Sequence, residues 1–298
     1  MRRLLIFSFV GFFAQLIDGA LGMAFGLSSS SLLLAYGVAP AIASSSIHMS
    51  EIATTAVSGF SHYKFGNLDK KLALTLIVPG AVSAFLGAAF LSSLPGDMIK
   101  PFISSFLLLL GVYIIARFLF LRPSNENRKR MPLKKRFLYP LGFLAGFFDS
   151  IGGGGWGPIN TPVLLSQKGA TPRKVIGTVD TTEFAVTTSA TLGFLLFLGI
   201  EQFNWLWVAA FVIGGVLAAP LAAWLVRIIP AVILGVLAGG FIILVNLRTV
   251  LLSLSVSGDV LAVIYTVLIA GWAAAVLFSI KRNIQFNRQN PSPMRETS

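Results

Sequence analysis

Apolar residues run along this chain in blocks of about 20, the length a helix needs to cross a lipid bilayer, separated by short polar interruptions. The blocks at 42–62, 72–94, 99–121, 175–199, 204–226, 230–250 and 259–280 each predict one spanning helix. Two further apolar stretches, 4–36 and 137–167, are too long for one straight helix and are interrupted by glycines. Each is either a long bent helix or a pair of short helices folded into a hairpin. Backbone that leaves the helix at membrane depth is tolerated only inside protein or against water.

The two interrupted stretches share a pattern. Gly11–Gly26 reads GFFAQLIDGALGMAFG and Gly142–Gly157 reads GFLAGFFDSIGGGGWG. At an offset of 131 residues they match at Gly11/Gly142, Phe12/Phe143, Ala14/Ala145, Asp18/Asp149, Gly22/Gly153 and Gly26/Gly157. Further on, Pro40 pairs with Pro172, Glu51 with Glu183 and Pro95 with Pro230, the offset drifting through short insertions. The predicted fold is an all-α polytopic membrane protein of two repeats with glycine-broken first segments, followed by an extra C-terminal helix. The expected divisions are a first transmembrane repeat at 1–121, a basic cytoplasmic linker at 122–136 and a second transmembrane repeat at 137–250. An extra helix follows at 251–280, then a cytoplasmic tail at 281–298. Internal repetition with helix breaks at matching positions points to a transporter.

Composition agrees. The chain is 55% hydrophobic and 11% charged, with a mean hydropathy of +0.83, against about 25% charged residues in soluble domains. It has no cysteine, which excludes disulfides and thiolate metal sites. The net charge of +12 is expected from the excess of Lys and Arg in cytoplasmic loops, and no nucleic-acid partner is expected. The basic groups are Lys64, Lys70 and Lys71; the linker from Arg117 to Arg136; Lys168, Arg173 and Lys174; and the tail from Lys281. The loops around Val38–Ala41, Pro95–Asp97, Glu201–Asn204 and Ser257–Asp259 are neutral or acidic and are expected outside. The turn after the first glycine motif is thus uncharged while its counterpart, Lys168–Lys174, is basic. Equivalent points then lie on opposite sides, which predicts inverted halves. With hairpins, each half makes five passes, the C-terminus is cytoplasmic and the N-terminus outside; Arg2 and Arg3 argue against the last placement. The N-terminal run resembles a signal peptide but is read as retained structure, because Asp18 has its counterpart in Asp149.

Five of the 11 acidic residues fall in apolar segments: Asp18, Glu51, Asp149, Asp180 and Glu183. An ionisable group at membrane depth costs at least about 2.5 kcal/mol on insertion scales, so such groups are functional candidates. His48 and Glu51 are three apart on one helix face, and Asp180 and Glu183 hold the equivalent places in the second half. Buried acids repel an anion unless protonated, so Asp18, His48, Glu51, Asp149, Asp180 and Glu183 are the expected proton-coupling residues. No Lys or Arg lies near the centre of an apolar block. An anion must then be held by backbone N–H groups at Gly22, Gly26 and Gly152, Gly153, Gly154 and Gly155, together with Trp156, Asn160, Ser46, Thr178 and Thr182. Four glycines in a row do not form a stable helix at about 1 kcal/mol each, and exposed N–H groups beside a helix N-terminus suit an anion. The bland reading is that small residues let helices pack closely and the acids bond neighbouring helices. Two histidines and no cysteine argue against a tight metal site, and no cofactor or enzyme motif is found.

The duplicated G-x-x-A-x-x-x-D…G-x-x-x-G motifs, the GATPRKVIGT stretch at 169–178 and the basic central linker resemble the TauE/SafE family of prokaryotic permeases, over roughly residues 9–250. The resemblance implies a secondary carrier of sulfite, sulfonates or related small anions in the cell membrane, in contact with the bilayer and compatible with a homo-oligomer. The alternative is a carrier or channel for a cation, bound directly by the five acids.

Overall fold

The computed structural model describes residues 2–120, 134–165, 167, 170–225 and 231–289. Lys168, Pro230, the linker up to Leu133 and the tail from Asn290 lie outside the described residues. The described chain is all helical: α1 (Arg2–Leu21), α2 (Phe25–Ala35), α3 (Pro40–Lys64), α4 (Lys70–Ser92), α5 (Gly96–Phe120), α6 (Lys135–Gly152), α7 (Trp156–Leu165), α8 (Pro172–Phe197), α9 (Trp205–Leu225), α10 (Ala231–Ser253) and α11 (Gly258–Gln289). A 3-10 turn, Ile200–Gln202, joins α8 to α9.

Local chemistry sets the boundaries. Pro40 and Pro172 open α3 and α8, where the missing N–H and fixed φ suit a first turn. Asp69 caps α4, its side chain accepting from the N–H groups of Lys71 and Leu72. Both long apolar stretches break where a residue takes positive φ, Gly22 in the first and Gly153 in the second. Glycine adopts that region without a Cβ clash. Ala24 follows in the first break at φ 135°, a conformation costly for a side chain.

Both broken stretches are hairpins. The Phe7 ring near the start of α1 lies 5.5 Å from Tyr36, just past α2, and 5.9 Å from Trp207 at the start of α9. The chain therefore returns to the end it came from. A Cβ on Gly96 would sit 3.2 Å from Ala39, so α3 and α5 start at that end too. The 25 residues of α3 carry the chain about 37 Å to the other end. There Asn67 meets Gly177 of α8. A cavity of about 330 Å³ at that end is lined by Lys135 and Leu138 of α6, Leu164 of α7, Leu72 of α4 and Val175 of α8. The second hairpin thus starts and finishes at the far end. The packing is reciprocal: α1 lies on α9 as α6 lies on α4, and α3 on α9 as α8 on α4, while α3 crosses α8 and α5 crosses α10.

Among the described residues, six helices, α1, α4, α5, α9, α10 and α11, are long and apolar enough to cross a membrane. Leu74, Val78, Phe102, Leu109, Ile213 and Leu217 project outward from α4, α5 and α9, an apolar surface that suits lipid. The polar helices α3 and α8 run through the middle, where they bury Ser45, Ser46, His48, Glu51, Thr178, Asp180 and Thr187. Solvation by helix neighbours replaces solvation by lipid for these two, which is why apolarity alone understates them.

Candidate functional site

The tips of the two hairpins meet backbone to backbone. A Cβ added to Gly26 would collide with the carbonyl of Gly153, and one added to Gly154 with the N–H of Leu27. Ser30 donates to Gly153 O at 3.2 Å and Thr161 donates to Gly22 O at 3.1 Å, so each hairpin satisfies a carbonyl left over by the other's break. Only glycine allows this approach.

Asp149 organises the second break. Its backbone carbonyl accepts from Gly153 N at 2.6 Å and Gly154 N at 3.2 Å. Its Oδ1 accepts from Gly155 N at 2.6 Å and Trp156 N at 2.8 Å. A carboxylate here meets both the unpaired N–H groups and the positive end of α7. Oδ2 faces His48 Nε2 at 3.1 Å. His48 Nδ1 lies 2.8 Å from Ser44 O, which can only accept, so Nδ1 carries a hydrogen. The contact between Nε2 and Oδ2 then needs one more proton, held either by the imidazole or by the carboxyl. Ser44 in turn donates to Ser150 O at 2.5 Å, tying α3 to the end of α6.

Asp18 holds the same place in the first hairpin more loosely. Its carbonyl accepts from Gly22 N at 2.5 Å and its Oδ1 accepts from Phe25 N at 3.4 Å. Asp180 and Glu183 of α8 approach it, with one carboxylate oxygen from each of the three lying within 4.8 Å of the others. Glu51 reaches the tip crossing, its Oε1 lying 2.8 Å from the Cβ position of Gly26. All five acids are buried at or beside the hairpin breaks.

The residues expected at an anion site divide. Gly22, Gly26, Gly153, Gly154 and Gly155 lie at the crossing, but the N–H groups of Gly22, Gly153, Gly154 and Gly155 already bond to Asp18 or Asp149. Gly152 is the last residue of α6. Trp156 is fully buried and its indole N–H donates to Val179 O and to Thr182 Oγ1 at 3.1 and 3.2 Å. Thr178 lies away from the crossing, accepting from Asp69 N at 2.8 Å. Buried Ser29 and Ser46 have hydroxyls without hydrogen-bond partners, as does Asn160 Oδ1, while Asn160 Nδ2 donates to Trp156 O. Sequence reasoning passed over His62 and Gln15. Both are buried and both leave polar atoms unpaired. A polar amide three residues before Asp18 on an apolar helix was a signal, but neither residue has a counterpart of its own type in the other half.

The sequence profile described as "Sulfite exporter TauE/SafE" matches residues 7–249. The chain is 55% identical over 282 residues to "Probable membrane transporter protein YtnM" of Bacillus subtilis (strain 168), covering 95% of this chain and 94% of that one. It is 26% identical over 179 residues to "Probable membrane transporter protein YdhB" of the same organism, covering 59% of this chain and 71% of that one. No solved structure matches. The chain belongs to the sulfite exporter TauE/SafE family and is a multi-pass membrane transporter.

Proposed function

We propose that this TauE/SafE transporter is a secondary carrier of a small sulfur-containing oxyanion, sulfite or a sulfonate, and that protons move with the anion. It acts as a carrier and not as an enzyme. The sulfur class comes from the description of the family. The observation that carries the mechanism is Asp149 at the N-terminus of α7. There a carboxylate accepts from two backbone N–H groups and faces an imidazole. A sulfite or sulfonate group presents oxygens of the same kind. In this reading the side chain occupies the anion's place between turnovers. When the proton shared with His48 rests on Asp149, the carboxyl becomes neutral and its hold on the α7 N-terminus weakens. The N–H groups of Gly155 and Trp156 are then available to the substrate, assisted by the hydroxyls of Ser29 and Ser46. Anion entry without that proton would set two negative charges against one helix end in a medium of low dielectric, which is unfavourable by several kcal/mol even at an effective dielectric of about 20.

The reading also takes the two halves as inverted repeats, supported by the reciprocal packing and by hairpins that start at opposite ends. The end that carries Lys64, Lys70, Lys71, Lys135, Arg173 and Lys174 is taken as cytoplasmic in the cell membrane, which places the C-terminus inside.

Flux into proteoliposomes tests the mechanism. Asp149→Asn keeps an acceptor for the α7 N–H groups but cannot exchange a proton. It is expected to lose sulfite or sulfonate uptake driven by a pH step, while exchange of labelled anion at equal pH continues. Undiminished pH-driven uptake by folded Asp149→Asn protein would remove Asp149 from the mechanism.

A further inference from the structure

The two hairpins are not chemically equal. In the second, the carboxylate that holds the helix break faces His48, which stands on the helix crossing the centre. The position equivalent to His48 in the other half is Asp180, and it faces the equivalent carboxylate, Asp18. An imidazole at this position in one half is thus replaced by a carboxylate in the other, and Glu183 adds a third carboxylate. Neither oxygen of Asp180 has a hydrogen-bond partner, nor has Glu183 Oε2. The Ser58 hydroxyl approaches Asp180 as a hydrogen-bond donor. Three carboxylates brought this close inside the protein need either protons or a cation among them, because the loss of hydration and their mutual repulsion add.

A second group, on another helix, points to the same place. His62 of α3 is buried, and its Nε2, 3.8 Å from Asp180 Oδ2, has no hydrogen-bond partner. Gln15 of α1 is fully buried with both amide atoms unpaired. Its Nε2 lies 3.9 Å, and Ser58 Oγ 3.7 Å, from the Cβ position of Gly19, next to Asp18. Buried polar atoms without a protein partner are few in folded proteins, and each calls for one.

We propose that Asp18, Asp180 and Glu183 bind a hard metal cation, sodium or a divalent ion of the magnesium or calcium class, with Gln15, Ser58 and His62 around it. The donors are oxygens, which such ions prefer. One carboxylate oxygen from each of three residues within 4.8 Å of the others fits a single ion at the bond length of about 2.3–2.6 Å that calcium takes. The cation takes the role that the His48 ring takes in the other hairpin, holding its carboxylate against a helix start. This binding does not rest on the carrier reading.

Thermal unfolding of the purified protein, without any sulfur anion, tests the site. Sodium, magnesium, calcium and manganese chlorides are compared with choline chloride at one pH and one ionic strength. At least one is expected to raise Tm in a concentration-dependent way, by mass action on the folded state. Asp180→Asn and Glu183→Gln are expected to abolish that rise, and Asp259→Asn, exposed at the start of α11, to keep it. If the cluster variants do not fold, binding of radioactive sodium or calcium to the wild type is counted, with about one ion per chain expected. The proposal is overturned if no cation acts beyond choline and no ion is bound, or if Asp180→Asn responds as the wild type does. A pH effect with no cation effect also overturns it and assigns the cluster to protons. Any of these leaves the carrier reading standing, because that is decided by the flux of Asp149→Asn.

Discussion

Gly154 lies where the two hairpins touch, and its environment shows what the glycine run is for. A Cβ there would overlap the backbone of Gly26 and Leu27, which cannot swing aside as a side chain can. Gly154→Ala is therefore expected to destabilise the fold by roughly 1–3 kcal/mol or more, the cost of overpacking, and to lower the amount of protein recovered from the membrane. Gly271, in α11, has open space around it. Gly271→Ala is expected to be neutral or stabilising by up to about 1 kcal/mol. Thermal unfolding of the two variants against wild type decides it; equal behaviour would mean that the tips do not pack as described. At this scale the sequence was partly legible. The five acids were visible because burial of charge is rare in apolar segments, and each is buried. The partners were not visible. Helical spacing groups residues on one face, but the His48–Asp149 contact spans 101 positions. The N–H groups of the glycine run invite an anion when read alone; that Asp149 already accepts from them depends on the chain turning back at Gly153.

Among the helices, α11 behaves unlike the rest. It packs chiefly on α10, and none of its apolar window is buried. Its polar ties are few: Tyr265 donates to Leu244 O, Trp272 Nε1 donates to Val236 O at 2.9 Å and Arg282 donates to Leu119 O. The family profile ends at residue 249, before it begins. A chain ending at Ser257 is expected to insert and to transport as the full chain does, with Tm lower by a few degrees because the α10 face that receives Trp272 is left open to lipid. Loss of transport in a folded truncated protein would place α11 in the working unit. Helix positions were the most legible level of the structure. Every predicted spanning block overlaps one helix, with ends differing by one to three residues, except that α11 runs nine residues past the end of its block. The blocks at 42–62 and 175–199 were recognised through their length despite their polar content, and they became α3 and α8. The broken stretches left bent helix and hairpin undecided, since glycines mark where a helix stops and not which way the chain leaves. The edge-to-face contacts of Phe7 with Tyr36 and Trp207 resolve the first as a hairpin.

For the whole molecule the decisive question is how the two halves lie in the membrane, and the absence of native cysteine makes it directly measurable. Lys70 opens α4 after the loop that follows α3. Gln202 lies in the loop that follows α8, the equivalent place in the second half. Both are exposed. They sit at opposite ends of the bundle, because α3 and α8 cross it in opposite directions: α3 ends where α8 begins, at the contact of Asn67 with Gly177. Two halves in the same orientation would put equivalent loops on one side; inverted halves put them on opposite sides. Charge then selects the side. The Lys70 end also carries Lys64, Lys71, Lys135, Arg173 and Lys174, whereas the loop of Gln202 carries Glu201. An excess of Lys and Arg in short loops marks the cytoplasm. In intact cells, a membrane-impermeant maleimide is expected to label Gln202→Cys and to spare Lys70→Cys, and in inside-out vesicles the order is expected to reverse. Labelling of both from one side would defeat the inverted arrangement. Labelling of Lys70→Cys only from outside would keep the inversion but reverse the membrane orientation, and with it the side on which the C-terminus lies.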